Sequence, residues 1–446
     1  AGRTFGPICF AQYTLDRGIL KMTAQLTPVE AVSGHKVELQ IQREGHWVTV
    51  DETTVHPLAR TVHFRIEEWS SKEQTPYRVR LELPLKGRTE EYFYEGSFAA
   101  EPGAEEELKM AVFSCNSHYG FPNDEVVQNV AKHNPDIAMF LGDQIYESHG
   151  GFGAERTKDV EKATLDYLRK WYMFGWSYRD IFRNIPAGFI PDDHDVFHGN
   201  IWGQGGDKAS TNEGWGYQAQ DKGGYKYPAE WVRMVERTLT SHLPDPYDPT
   251  PVKQDIGVYY TDWTYGGVSL AIIEDRKFKT APQNALPKEA EVQNGFIQNP
   301  DFDVTEYYDI DAELLGERQL KFLQHWVADW SHGARIKVVL SQTNFSNLGT
   351  LPEGERSDEI VPRLAIPRRG EYVGGDALTT DMDTNGWPAK GRDEALKIIR
   401  KGFALHIAGD QHLASMVQYG VDEFGDAGFA FTVPALNNIW PRRWWP

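Results

Sequence analysis

From Lys109 onward the chain carries short apolar runs that stop abruptly at ionisable or amide side chains. No other feature restricts its fold as strongly. The runs are Lys109–Phe113, Ile137–Leu141, Ala187–Ile190, Val268–Ile273, Ile336–Leu340 and Leu405–Ala408. Their length and continuity are those of strands buried on both faces of a parallel sheet. In order, they end in Cys115-Asn116, Asp143, Asp192-Asp193-His194, Asp275-Arg276, Gln342-Thr343-Asn344 and Asp410-Gln411-His412. Helix-period stretches lie between them. Val126, Val127, Val130 and Ala131 share one face of Asp124–His133, and Leu320, Leu323 and Val327 form a stripe within Gly316–Trp330. Strands alternating with helices make an α/β fold, whose ligands bind beyond the carboxyl ends of the strands. Six polar strand exits at one edge are more than packing requires.

Before Lys109 the grammar is different. Short alternating runs near Leu20–Leu26, Lys36–Gln42, Trp47–Thr53, Thr61–Ile66, Tyr77–Leu83 and Glu91–Phe98 predict an antiparallel β-sandwich of immunoglobulin or fibronectin type. Glu101-Pro102-Gly103, then Ala104 and three glutamates, reads as a boundary. The expected domains are 1–104 and 105–446, since 446 residues are too many for one small core. Long connections at Phe197–Val258 (rich in Gly, Trp and Tyr, with one helix at Ala229–His242), Lys277–Ile310 and Ser346–Lys390 are expected to serve as lids or specificity walls.

Composition excludes some functions. Acidic residues outnumber basic ones by 65 to 46, which argues against a nucleic-acid-binding surface. An anionic substrate stays open, because bound cations reverse the charge inside a cleft. No apolar run approaches the roughly 20 residues of a membrane span. The two cysteines, Cys9 and Cys115, are no disulfide framework. The opening AGRTFGPICF has neither a charged region nor a long apolar one, so no signal peptide is read there. The oligomeric state, and continuation past Pro446, are left open.

Asp143, Asp193, Asp410, His412 and Cys115 together offer carboxylate, imidazole and thiolate ligands, enough for a binuclear centre. Two ions about 3.5–4 Å apart activate a water and stabilise charge on a phosphoryl group. The carboxylates suit Ca²⁺, Mg²⁺ or Mn²⁺. Cys115 and Tyr146 suit a more Lewis-acidic iron, since a free phenol ionises only near pH 10. Each residue alone has a plainer reading: Cys115 as a small buried apolar residue, Tyr146 as a packed aromatic, Asp410 as a turn residue, His412 as a core histidine. Asp192-Asp193-His194-Asp195 is harder to explain that way, because four adjacent ionisable groups are costly to bury unpaired.

FSCNSHYG, NPDIAMFLGDQIYE, PDDHDV, LLGERQLKFLQHWVADW with VVLSQT, and HIAGDQH, in this order, resemble the PhoD-like alkaline phosphatase/phosphodiesterase family of calcineurin-like metallophosphoesterases. The resemblance implies a four-layer αββα catalytic domain behind the β-sandwich. It implies hydrolysis of phosphoesters by a metal-activated hydroxide. Cys115, Asp143, Tyr146 and His412 match ferric-ion ligands, with Asp143 bridging to calcium. Asp193 and Asp410, with Asp192 less closely, match the second metal position. The implied cofactors are Fe³⁺ and one or two Ca²⁺, with Mn²⁺ or Zn²⁺ as the alternative. His194 matches the histidine that contacts the phosphoryl or leaving group, Arg276 a looser Asp-x-Arg position, and Asn116 a metal or substrate contact. A periplasmic or secreted location and a small or oligomeric anionic ester substrate are also implied. Ile-Pro before Asp192 and Gln at 411 depart from the family pattern and bear on substrate identity. The alternative readings are a sulfate-ester hydrolase and a non-catalytic glycan-binding surface protein.

Overall fold

The computed structural model describes residues 5–29, 35–149, 153–371, 373–440 and 442–443. The fold is mixed α/β with several sheets. Seven antiparallel strands come first: β1 (Ile8–Asp16), β2 (Ile19–Leu26), β3 (Lys36–Arg43), β4 (His46–Thr54), β5 (Thr61–Ile66), β6 (Thr75–Leu85) and β7 (Arg88–Phe98). They form a three-stranded sheet, β1-β2-β5, and a four-stranded sheet, β4-β3-β6-β7. The alternation in β6 (Tyr77, Val79 and Leu81 buried, their neighbours less so) is what made this region legible. β1 lacks that alternation and was not expected. It is buried along nearly its whole length, so both faces are lined without regard to period.

The apolar runs after Lys109 are all strands, divided between two sheets. β8 (Met110–Phe113), β9 (Ile137–Phe140) and β10 (Ala187–Phe189) form a parallel sheet of order β10-β9-β8. The second sheet has six strands: β11 (Thr261–Tyr265), β12 (Val268–Ile272), then Ile336–Ser341, Leu405–Ala408, Phe429–Thr432 and Ser415–Gln418 in that spatial order. Its four central strands are parallel and its two edges antiparallel. Helices Gly316–Ala328 and Ala389–Ile399 cover one face through Phe322, Leu323, Leu396 and Ile399. The expected helix Asp124–His133 is present as α1, and Ala229–His242 is helical as far as Thr240.

A long helix that the sequence reading did not include, α2 (Val160–Phe182), joins the first strands to the rest. Phe10 of β1 packs edge-on against Trp171 at 5.4 Å and Phe182 at 6.0 Å. Gly175 makes this approach feasible, since a Cβ there would lie 1.9 Å from the Phe10 ring. Trp171 donates to Gln25 Oε1 (3.1 Å) and Trp263 of β11 to the Leu15 carbonyl (2.7 Å), so these two buried indoles are satisfied across the junction. Residues on both sides of Ala104 contribute to one continuous core. Cys9 and Cys115 are free thiols. Among the described residues, no helix is long and apolar enough to cross a membrane.

Candidate active site

The ends of β8, β9 and Leu405–Ala408 turn sharply into a common cleft. Cys115 (φ 58°), Asp143 (φ 55°), Asp410 (φ 63°) and His412 (φ 54°) all adopt the left-handed region that side chains other than glycine avoid. Such strain persists only where the surroundings impose it, and it gathers at functional sites. The turns are tied together by backbone: Asn116 N–H donates to the Asp143 carbonyl (2.7 Å), and Asp410 N–H to Ser114 Oγ (3.0 Å). Gly142 (φ 99°) is required here, since a Cβ would come 2.4 Å from Asp192 Cβ. Asp195 Oδ2 accepts the backbone N–H of both Asp143 (2.8 Å) and Asp192 (2.9 Å), locking the ends of β9 and β10.

Three sets of donors gather where these turns meet. Cys115, Asp143 and His412 form one, Asp143, Asp193 and His194 a second, and Asp192, Asp193 and Asp410 a third, with ligand atoms inside each set within 4.8 Å of one another. Asp143 belongs to two sets. Its Oδ1 is buried with no hydrogen-bond partner among the described residues, an arrangement interiors rarely tolerate. His412 Nδ1 donates to the Trp440 carbonyl at 2.9 Å, which leaves the Nε2 lone pair facing inward, 2.8 Å from the Tyr146 hydroxyl. Burial, followed by the charges of Asp143 and Asp410, holds the Cys115 thiol well above its usual range. Burial, then Asp143 and Cys115, does the same to Tyr146, and burial, then Asp193, to Asp143. These groups disfavour one another's charge, and a bound cation reverses that, so the donor set fits metal ions.

The other expected site residues divide. His194 faces the cleft with Nδ1 2.6 Å from Glu147 Oε2. Burial opposes charge on this imidazole, but Glu147, Asp193 and Asp143 outweigh it and raise its pKa well above the usual value. Arg276 is interior. Its Nε lies 2.8 Å from Asp192 Oδ1, its Nη1 2.7 Å from Asp383 Oδ1, and its Nη2 3.2 Å from Asp410 Oδ1. Burial raises the Asp410 carboxyl, but Arg276, Arg442 and His412 hold it below its ordinary range. Asn116 is also turned inward, giving Nδ2 to the Gln144 carbonyl (3.0 Å) and accepting from the Tyr178 hydroxyl (2.7 Å). Neither Arg276 nor Asn116 lines the cleft.

The cleft encloses about 240 Å³. Asp143, Tyr146, Asp193, His194, Asp410 and His412 form its floor. All three long connections contribute to one wall, with Asn200 and Tyr217 from the first, Asn294 from the second and Asp358 from the third. His149 also lines the space, its Nδ1 2.9 Å from Ser117 Oγ and its ring 4.6 Å from Tyr119. The sequence reading gave no role to Glu147, His149 or Asp195. Glu147 closes the GDQIYE run and Asp195 the DDHD run, so each sat inside a motif already noticed. Nothing in the sequence pointed to His149.

No curated protein sequence matches the chain. Among solved structures, that of PhoD is similar over 99% of this chain and 79% of its own, with a TM-score of 0.66 and 17% identity, a likeness of fold. A dimetal phosphatase from Danio rerio shares 8% identity over 74% of this chain and 87% of its own, at a TM-score of 0.37, too distant to bear on the argument. The family model for PhoD-like phosphatases matches residues 110–438, which span both parallel sheets and every donor in the cleft. The chain belongs to the PhoD-like phosphatase family.

Proposed function

We propose that this phosphatase-family hydrolase cleaves phosphoesters at a two-ion centre hinged on Asp143. The observation that carries the reading is that Asp143 is shared by two donor sets and keeps a buried oxygen without a partner. Cys115, Asp143, Tyr146 and His412 would hold one ion, and Asp143, Asp193 and Asp410 the other. Ionising the Cys115 thiol and the Tyr146 phenol takes a strongly Lewis-acidic ion, which favours Fe³⁺ at the first position, and the carboxylates favour Ca²⁺ at the second, with Mn²⁺ or Zn²⁺ as the alternative. Bound ions supply Lewis acidity and acidify a water. On this reading residues 1–104 form an immunoglobulin-like sandwich and 105–446 a four-layer αββα catalytic domain, and the protein works in the periplasm or outside the cell.

The chain's own residues supply the rest. Hydrolysis breaks the bond from phosphorus to the alcohol oxygen, and water provides the replacing oxygen. His194, kept charged by Glu147, hands a proton from Nε2 to the departing alkoxide. Asp195 fixes the backbone of Asp143 and Asp192, so the carboxylates reach the ions from preset positions. Arg276 and Asn116 are positioning residues: Arg276 orients Asp192 and Asp410, and Asn116 anchors the turn after Cys115.

Metal analysis of the purified protein, with hydrolysis of phosphomonoesters, phosphodiesters and sulfate esters, tests the reading. Asp143→Asn should lose at least one ion per chain and about a thousandfold or more in kcat. Full activity in Asp143→Asn, or faster cleavage of sulfate than phosphate esters, would overturn it.

A further inference from the structure

The wall facing the metal donors has a chemical sign of its own. Asn200 Nδ2 donates to the Asn294 carbonyl (3.1 Å) and to Asn294 Oδ1 (3.2 Å). Gln220 Nε2 donates to the same Oδ1 (2.7 Å), and the Asn294 backbone N–H to Asp221 Oδ2 (2.8 Å). The network is internal, and it sets which way each amide points. With its donors committed, Asn200 presents Oδ1 to the cleft, and that oxygen has no partner among the described residues.

Beside it stands Asp358, whose side chain keeps 15% of its exposure and lines the same cleft. Its partners are loose. Asn294 Nδ2 lies 3.4 Å from Oδ1, and Arg442 Nη2 3.8 Å from Oδ2. Arg442 is engaged elsewhere, with Asp381 and with Gln411 Oε1 at 3.2 Å. A mostly buried carboxylate needs strong donors, and these are weak ones. Three separate connections thus meet to present acceptors, an amide oxygen and a carboxylate, across from the ion-binding floor, with Tyr217 and Arg442 lining the same space.

Resting on the phosphoester reading, we infer that the alcohol released by this enzyme carries hydrogen-bond donors of its own, hydroxyl or ammonium. Asn200 Oδ1 and the Asp358 carboxylate pair with such donors. Polyols, sugars and amino alcohols fit this description.

Isosteric pairs test the inference on the metal-loaded full chain. Glycerol 1-phosphate against 2-methylbutyl phosphate reads the hydroxyl contribution, and O-phosphoethanolamine against propyl phosphate reads the ammonium. In at least one pair the donor-bearing ester should have a kcat/KM ten- to a hundredfold higher, because leaving a buried acceptor unpaired is costly. Asp358→Asn should shrink that ratio at least tenfold. Equal rates within both pairs, while p-nitrophenyl phosphate is hydrolysed, would overturn the acceptor wall and leave the phosphoesterase reading standing. No hydrolysis of any phosphoester by metal-loaded protein would overturn both.

Discussion

His194 Nδ1 and Glu147 Oε2 lie 2.6 Å apart at the rim of the cleft, the imidazole held charged and the carboxyl kept below its ordinary range. Burial alone would drive each towards its neutral form; Glu147, ahead of Asp193 and Asp143, sustains the imidazolium, and His194, ahead of Lys226, sustains the carboxylate. Glu147→Gln should therefore weaken His194 as a proton donor. We expect kcat to fall ten- to a hundredfold for alkyl phosphates, whose alkoxide must be protonated, and much less for p-nitrophenyl phosphate. Comparing the two substrate types in wild type and variant checks this, and equal losses on both would refute it.

Tyr146 and His412 approach within 2.8 Å beside Cys115 and Asp143. If ferric iron sits there, the pure protein absorbs visible light by charge transfer from phenolate or thiolate. Tyr146→Phe should shift or remove that band while leaving the second ion in place. Visible spectra and elemental analysis of both proteins decide the matter. A colourless active enzyme containing only zinc would defeat the iron assignment.

Arg276 engages both Asp192 oxygens through its guanidinium, beside the Asp193 N–H that also donates to Oδ1 (2.8 Å), and it reaches Asp383 and Asp410. Arg276→Met would leave three buried carboxylates without that cation, and stability should drop by about 3–5 kcal/mol, the usual cost of breaking a buried pair. Arg276→Lys should recover little, because one ammonium cannot reproduce the fork. Urea unfolding of the three proteins gives the comparison.

His242 ties the first strands to the second half of the chain. Its Nε2 donates to the Ala187 carbonyl at 2.8 Å, and Nδ1 lies 3.4 Å from Gln12 Nε2. Burial lowers its pKa to about 3, and burial does the same to His406. The unfolded chain, with histidine near 6.5, binds these protons first as pH falls. The stabilising contribution is therefore complete above about pH 6.5 and is lost as pH drops towards 3, at up to about 1.4 kcal/mol per unit per histidine. The stability difference between wild type and His242→Gln should shrink with this slope as pH is lowered from about 6.5 to 4.5, read from denaturation of both proteins.

The sequence by itself determined the strands and the identity of the floor. Apolar runs such as Ile137–Phe140 are buried on both faces whatever surrounds them, and a residue such as Asp143 at the end of one has few uses beyond a ligand site. The motifs around Cys115, Asp143, Asp193 and His412 lie in order along the chain and required no knowledge of distance. Tertiary structure decided which way side chains turn. Asn116 follows the donor Cys115 and Arg276 stands at a strand exit, yet their polar atoms are consumed internally, because burial obliges each donor to find the nearest acceptor. The wall of Asn200, Asn294 and Asp358 comes from three distant connections whose spacing has no period to read. β1 was concealed for a related reason. A strand packed on both faces against Phe98 and Trp171 shows no alternation, and its partners lie far along the chain.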